Sequence, residues 1–395
     1  MERTIAFIAV FFFFASQVIS QPLTAISGTI KDQTTKEPIP YANIGIEGTY
    51  TGAASDINGN FEFKVPETNT GTFVLASAVG YQGVRIAISD LVNGRLQLEM
   101  IPTAYDIGVV NINAQSLVLF RILKNAIGAI GENYLKGPFS TKTYYKSEAT
   151  VYNEPSRVTE AIVEISDLKG YRRESALEVQ KHLNYKFLGL RRNFKVGNLS
   201  DGMNQLDDLL GLDIVRMRGN VLDESFLAGY DLSLDQVGQF EGDSVWVINY
   251  RLKTPDLART GDYYVKAYEG KIFIAKSNYA VLKNETWVKA DDFSTLGRSF
   301  ANTSVQKWNP VSIGYDFCTT YRKGKDGYRL VYLKCNRRNV WKDKTNGDLK
   351  TESFTNYLVP TEVNTINPNI LSTRTYFDDA QYDAAIWNGF SLIVD

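Results

Sequence analysis

Histidine is nearly missing from this sequence: there is one, His182, in 395 residues. A zinc centre of the His/Glu type needs more than one imidazole, and no His-x-x-Glu occurs, so zinc peptidase chemistry of that kind is excluded. Cysteine is almost as scarce. Only Cys318 and Cys335 are present, in no Cys-x-x-Cys arrangement, and no Gly-rich phosphate loop accompanies them. Neither sign of charge dominates. With 43 basic and 44 acidic residues, no electrostatic case exists for nucleic acid or for an anionic membrane surface. Beyond the first 20 residues, no apolar run approaches the roughly 20 residues that a membrane-spanning helix needs.

What the chain does have begins at its start. Met1 to Ser20 reads as a secretory signal, with Arg3, an apolar run from Ile5 to Ala15, and a small residue, Ser20, before the expected cut. No Cys follows the run, so the product is not expected to be a lipoprotein. The mature chain, without a transmembrane span, is expected to be exported, either to the periplasm or to the outer membrane through a partner. Aromatics make up 12% of the chain, with 23 Tyr against 21 Phe, which suits half-wet strand faces or a surface that binds something.

Residues 21–114 carry the clearest pattern. Short alternating runs (Ile44 and Ile46; Phe61, Phe63 and Val65; Leu96, Leu98 and Met100) are separated by Gly, Pro, Asn and Asp clusters, the pattern of half-buried strands in a small antiparallel sandwich. Asn58-Gly59 predicts a two-residue type I′ hairpin turn, and Asp56 is placed to hydrogen-bond a turn backbone. Gly28, Asp32, Pro38-Ile39-Pro40, Ala42, Gly48-Thr49, Ser55-Asp56, Gly59, Phe61 and Gly80-Tyr81, with the tail from Leu96 to Val109-Val110, resemble the carboxypeptidase-like regulatory domain. That family is common in envelope proteins of Bacteroidota-type bacteria. The resemblance implies a seven-stranded transthyretin-like β-sandwich over about a quarter of the chain, and no enzyme with it.

Residues 115–137 read as an amphipathic linker helix. Leu119, Leu123, Ala126, Ile127, Ile130 and Tyr134 recur at helical spacing, and Lys136-Gly137-Pro138 ends the run. Residues 138–395 read as a larger antiparallel β-sheet domain with short helices, so the fold class is mainly β. Ser175 to Arg192 stays ambiguous between helix and loop, while Leu206 to Leu210 and Val221 to Leu227 suggest short helices. The run GKIFIAKSNYAVLKNETWV, from Gly270 to Val288, resembles the strand–turn–strand unit of bacterial lipoprotein-carrier-type proteins. The closing segment, with Tyr382-Asp383, Trp387, Phe390 and Leu392-Ile393, resembles that of an uncharacterised envelope family, and Trp387 and Phe390 are expected to cap the sheet's core.

The two cysteines lie in one predicted hairpin. A type I′ turn at Asp326-Gly327 pairs Lys325 with Tyr328 and sets Cys318 opposite Cys335 at a non-hydrogen-bonded site, about 4.5 Å apart and within disulfide reach. A turn at Lys325-Asp326 instead leaves two reduced core thiols out of register. Catalysis finds little support. A lone His182 without a nucleophile motif is more often a packing residue. The adjacent pairs Asp207-Asp208, Asp291-Asp292 and Asp378-Asp379 fit turns better than a glycosidase cleft. Asp56 to Glu67 lacks the glycine that a calcium loop requires. No cofactor or metal is expected.

Tyr144, Tyr145, Trp246, Tyr250, Tyr263, Tyr264 and Trp287 are candidates to face a glycan or an acyl-chain ligand, although strand alternation turns about half of them away. The favoured reading is a non-enzymatic envelope binding or scaffold protein, with an envelope or outer-membrane protein as possible partner. The alternatives are a lipid-chain carrier and a carboxylate-dependent hydrolase. A deep apolar cavity between sheet and helix would favour the carrier; carboxyls converging in a cleft or beside His182 would favour the hydrolase.

Overall fold

The computed structural model describes residues 23–40, 42–47, 52–56, 58–66, 73–78, 81–91, 95–102, 112–151, 154–179, 181–195, 205–240, 243–292, 308–374 and 386–387. The signal segment, Gly48-Thr49, Gly80, Val109-Val110, Asp378-Asp379, Tyr382-Asp383, Phe390 and Leu392-Ile393 lie outside the described residues.

The alternating N-terminal runs form two facing sheets. The first orders β4 (Asn60–Pro66), β1 (Leu23–Asp32) and β7 (Arg95–Met100), with β7 parallel to β1. The second orders β3 (Gly52–Ala54), β2 (Asn43–Ile46), β5 (Phe73–Ser77) and β6 (Val84–Ala87). Ile26, Ile30, Ile44, Phe61, Phe63, Leu98 and Met100 are buried in one core between them. Asn58-Gly59 is not the expected hairpin turn. It is the corner where the chain leaves one sheet for the other, with Gly59 at positive φ (+77°). Asp56 builds that corner: its Oδ1 accepts from the backbone N–H of Asn58 (2.9 Å) and of Asn60 (2.7 Å). A Cβ on Gly59 would stand 2.4 Å from the Ile30 carbonyl, so the position admits only glycine.

The rest of the described chain is organised on one ten-stranded antiparallel sheet. Its strands are β8 (Phe139–Val151), β9 (Arg157–Asp167), β10 (Leu183–Arg192), β11 (Tyr230–Phe240), β12 (Asp243–Leu252), β13 (Val265–Ala275), β14 (Val281–Ala290), β15 (Trp308–Gly324), β16 (Gly327–Asp343) and β17 (Leu349–Asn364). The order is β10-β9-β8-β17-β16-β15-β14-β13-β12-β11, so two meanders join where β17 pairs with β8. Helix α1 (Ile112–Asn133) lies on one face of it, here called inner. Leu119, Leu123, Ala126 and Ile130 share a core with Tyr250, Ile272, Tyr321 and Leu333 of the strands. Each large apolar side chain among them contributes about 1.5–3 kcal/mol by burial. The helix stops one residue before the last member of its apolar stripe, because Tyr134 and Leu135 leave to bond the sheet; Leu135 N–H donates to the Tyr328 carbonyl (3.1 Å).

Ser175 to Arg192, ambiguous from sequence, is a four-residue helix (Ala176–Val179) followed by β10. A bulge between Phe187 and Gly189 breaks the alternation there and hides the strand. The cysteine hairpin is also corrected. Its turn is Lys325-Asp326, which offsets the pairing by two residues, and an irregularity between Thr320 and Tyr321 takes one of them back. Cys318 then faces Lys334, while Cys335 faces Phe317. One residue out of register places the two side chains on opposite faces, so no disulfide joins them and both are buried.

Candidate functional site

The sheet's inner face carries a buried charged network that begins at the last residue of β9. Asp167 continues the inward positions of Ala161, Val163 and Ile165 and is fully buried. His182, just before β10, turns Nδ1 to Asp167 Oδ1 (2.8 Å) and Nε2 to Glu174 Oε2 (2.8 Å). Glu174 also pairs with Lys169 (3.2 Å). The second oxygen of Asp167 pairs with Arg216, whose guanidinium lies 4.4 Å from the centre of the Tyr171 ring. Arg216 in turn faces Asp213 at 3.8 Å, and Asp213 Oδ1 accepts from the Tyr321 hydroxyl of β15 (2.7 Å). The network therefore ties the β9–β10 edge and the 205–229 connection to the centre of the sheet.

Burial pushes the Asp213 carboxyl up to about 6, against its hydrogen bonds, and brings Arg216 down to about 10. At Glu174 burial raises the pKa, but the bonds from His182 and Lys169 outweigh it and hold the group below its usual range. Both imidazole nitrogens are engaged, and the His182 side chain is 2% exposed. A general base must come within hydrogen-bond reach of its substrate; this ring turns no nitrogen to solvent.

Beside the network lies a cavity of about 40 Å³, walled by Phe139, Leu183, Leu210 and Leu358, with Asp213 and Arg216 at its polar end. That volume suits one or a few waters, against several hundred Å³ for a ligand pocket of ordinary size. Of the adjacent carboxylates, Asp207 is tied to Arg374 (2.6 Å) and Tyr185 (3.2 Å), and Asp291 pairs with Lys266 (3.1 Å) at an exposed strand end. The Cys318 thiol, on the face opposite α1, is pushed up to about 12 by burial, which disfavours its thiolate form.

The seven aromatics singled out by sequence do not share one face. Tyr145 and Tyr250 are buried in the inner core, where the Tyr250 hydroxyl bonds Asn284 (2.9 Å) and Thr286 (2.7 Å). Tyr144 is buried on the outer face, its hydroxyl on Glu160 (2.5 Å). Trp246 is half-buried and stacks on Tyr279 at 5.6 Å. Three remain accessible: Tyr263 and Tyr264, adjacent in a loop, and Trp287 on β14. Trp387 packs with Tyr144 and Ile162 on the outer face rather than in the main core, under the Arg191 guanidinium at 4.3 Å.

Sequence reasoning missed Asp167, Glu174, Asp213, Arg216 and Tyr321. A signal was present: Asp167 sits at an inward strand position, and Asp213 and Arg216 interrupt the apolar run Leu212, Ile214, Val215, Met217. Charges at core positions require partners.

The class defined so far is a mainly β protein in which a small two-sheet sandwich precedes a ten-stranded antiparallel sheet with one helix on its inner face. The sandwich is a CarboxypepD_reg-like domain, whose family model matches residues 26–111. Over 81 residues the chain is 32% identical to the TonB-dependent receptor SusC of Bacteroides thetaiotaomicron, a match that covers 20% of this chain and 8% of the receptor. The chain thus spans less than a tenth of that relative. Among solved structures, a LolA superfamily protein of Nitrosomonas europaea aligns over 66% of this chain and 96% of its own, at 9% identity and a TM-score of 0.24. A protein of Bacteroides fragilis, described as membrane-associated and of unknown function, aligns over 86% and 98%, at 11% identity and a TM-score of 0.16. Scores that low carry no argument about the large sheet. Among the described residues no helix is long and apolar enough to cross a membrane.

Proposed function

We propose that this chain is a non-enzymatic, exported envelope protein that acts as a binding or scaffold module. In this reading residues 1–20 are removed on export, residues 21–114 form the regulatory-like sandwich, residues 115–137 link it onward, and residues 138–395 form the binding body. The location is the periplasm or the outer membrane through a protein partner, without a lipid anchor. The likeness of the sandwich to part of a TonB-dependent receptor supports an envelope setting.

The observation that carries the reading is how the buried charges are used. His182, the one imidazole, has both nitrogens against carboxylates inside the fold, and those carboxylates anchor further elements rather than lining a cleft. Carboxyls beside His182 are the arrangement expected of a hydrolase, but here they occupy both ring nitrogens inside the fold and leave none for a substrate, which favours a structural role over acid–base catalysis. The cavity of about 40 Å³ next to it is too small to be itself an acyl-chain site. Native mass spectrometry of the protein purified from its own envelope fraction tests the reading. A stoichiometric protein or saccharide companion is expected. A co-purifying acyl lipid, or an empty monomer, would contradict it.

A further inference from the structure

The outer face of the ten-stranded sheet is divided. Toward the β15–β16 turn the sandwich covers it: Arg322 donates to the Ile44 carbonyl (3.0 Å), Ala54 packs against Tyr332 and Tyr357, and Asp56 acts electrostatically on Lys334. One step further along the strands lies a row that the register aligns across five of them: Arg251, Glu269, Trp287, Asp316 and Asn336. Directly opposed side chains on neighbouring strands are about 5 Å apart, so Glu269 and Asp316 flank the indole on either side.

Trp287 is 42% exposed. On the next row the exposed Lys289 and Arg338 stand on either side of Gly314, which adds no side chain between them. Asp316 is held in place by Asn336 (2.8 Å), which in turn accepts from Thr355 (3.3 Å). Among the described residues, Arg251, Glu269, Lys289 and Arg338 form no ion pair. Elsewhere on the same sheet such groups are commonly matched, as in Lys271–Asp235 and Lys283–Glu285.

We propose that this platform binds a neutral carbohydrate, with one sugar ring stacked on Trp287 and its hydroxyls held by Glu269 and Asp316 as acceptors and by Lys289 and Arg338 as donors. A sugar ring offers an apolar C–H face and a rim of hydroxyls that both donate and accept. An exposed indole bordered by carboxylates and cations in near balance complements that pattern. An acyl chain would leave the charged groups unmatched, an anionic polymer would meet two carboxylates, and the centre of a protein interface is ordinarily depleted of Lys, Glu and Asp. The inference rests on the binding-module reading and gives it a ligand class.

The test is affinity electrophoresis of the full chain through native gels containing dextran, laminarin or xylan. Retardation in at least one gel is expected. Trp287→Ala should weaken it tenfold or more, Glu269→Gln and Asp316→Asn each several-fold, and Trp287→Phe less than Trp287→Ala. Leu117→Ala, exposed on α1 at the opposite face of the sheet, should leave it unchanged, and unchanged melting curves would establish that each variant is folded. Normal mobility in all three gels, or retardation that survives Trp287→Ala, overturns the carbohydrate assignment. A stoichiometric protein partner that is lost with Trp287→Ala overturns it too while leaving the binding-module reading intact.

Discussion

The buried inner network and the platform around Trp287 on the outer face use charge in opposite ways. Inside, Asp167, His182, Glu174, Asp213 and Arg216 are matched to one another and hold secondary-structure elements together. Around Trp287, Arg251, Glu269, Lys289 and Arg338 stand exposed and outside any ion pair among the described residues. A buried ion network is weak evidence for net stability, yet breaking one partner leaves a buried charge uncompensated and is costly. An open array costs the fold almost nothing to alter, which leaves its side chains available for binding. The contrast separates what maintains this protein from what it presents.

The sharpest way to break that contrast is at Asp167, the residue that His182 and Arg216 share. Asp167→Ala should destabilise the chain by about 3–5 kcal/mol, read as a large drop in the denaturant midpoint. A loss under about 1 kcal/mol would mean the network is not structural. Leu123→Ala, on the sheet-facing side of α1 and fully buried, should cost about 2–4 kcal/mol in the same measurement.

Asp213 provides a test in pH. Its folded carboxyl is raised to about 6, above the ordinary value of about 4, so the fold favours its protonated form. The stability this confers is fully present below pH about 4 and is lost as pH rises through about 6. Asp213→Asn should flatten that part of the stability–pH profile; an unchanged slope would refute the assignment. Smaller still is Arg322→Ala, which removes one hydrogen bond between the sandwich and the sheet. It should cost about 1 kcal/mol, visible as faster amide exchange in β2 with little change in the core strands. Last, Trp287→Ala should shift stability by less than about 0.5 kcal/mol. A larger loss would show that the indole is packing rather than presented.

The same division explains what could be read in the chain beforehand. The sandwich was legible because its alternation is clean and its turn residues are specific. Even there Asn58-Gly59 proved to be an inter-sheet corner, since an Asn-Gly pair does not reveal whether its flanking strands share a sheet. In the larger part, α1 and most long strands announced themselves by period, whereas β10 was concealed by its bulge at Phe187–Gly189. The cysteine pair failed for a related reason: a one-residue register shift, invisible to counting from an assumed turn, moves a side chain to the other face. The His182 partners were illegible because they stand 15 and 8 residues away, across loops without periodicity. Trp287 was named as a candidate from its residue type, but its charged neighbours became visible only once the strand register was known.

The central claim is that binding occurs on the outer face while the inner network only supports the fold. The most direct measurement is hydrogen–deuterium exchange on the chain alone and on the complex recovered from its envelope fraction. The account predicts added protection in the segments of β13 to β16 around Glu269, Trp287, Asp316 and Arg338, with α1 and the 205–229 connection unchanged. Protection confined to α1, the 205–229 connection and the His182 region would contradict it.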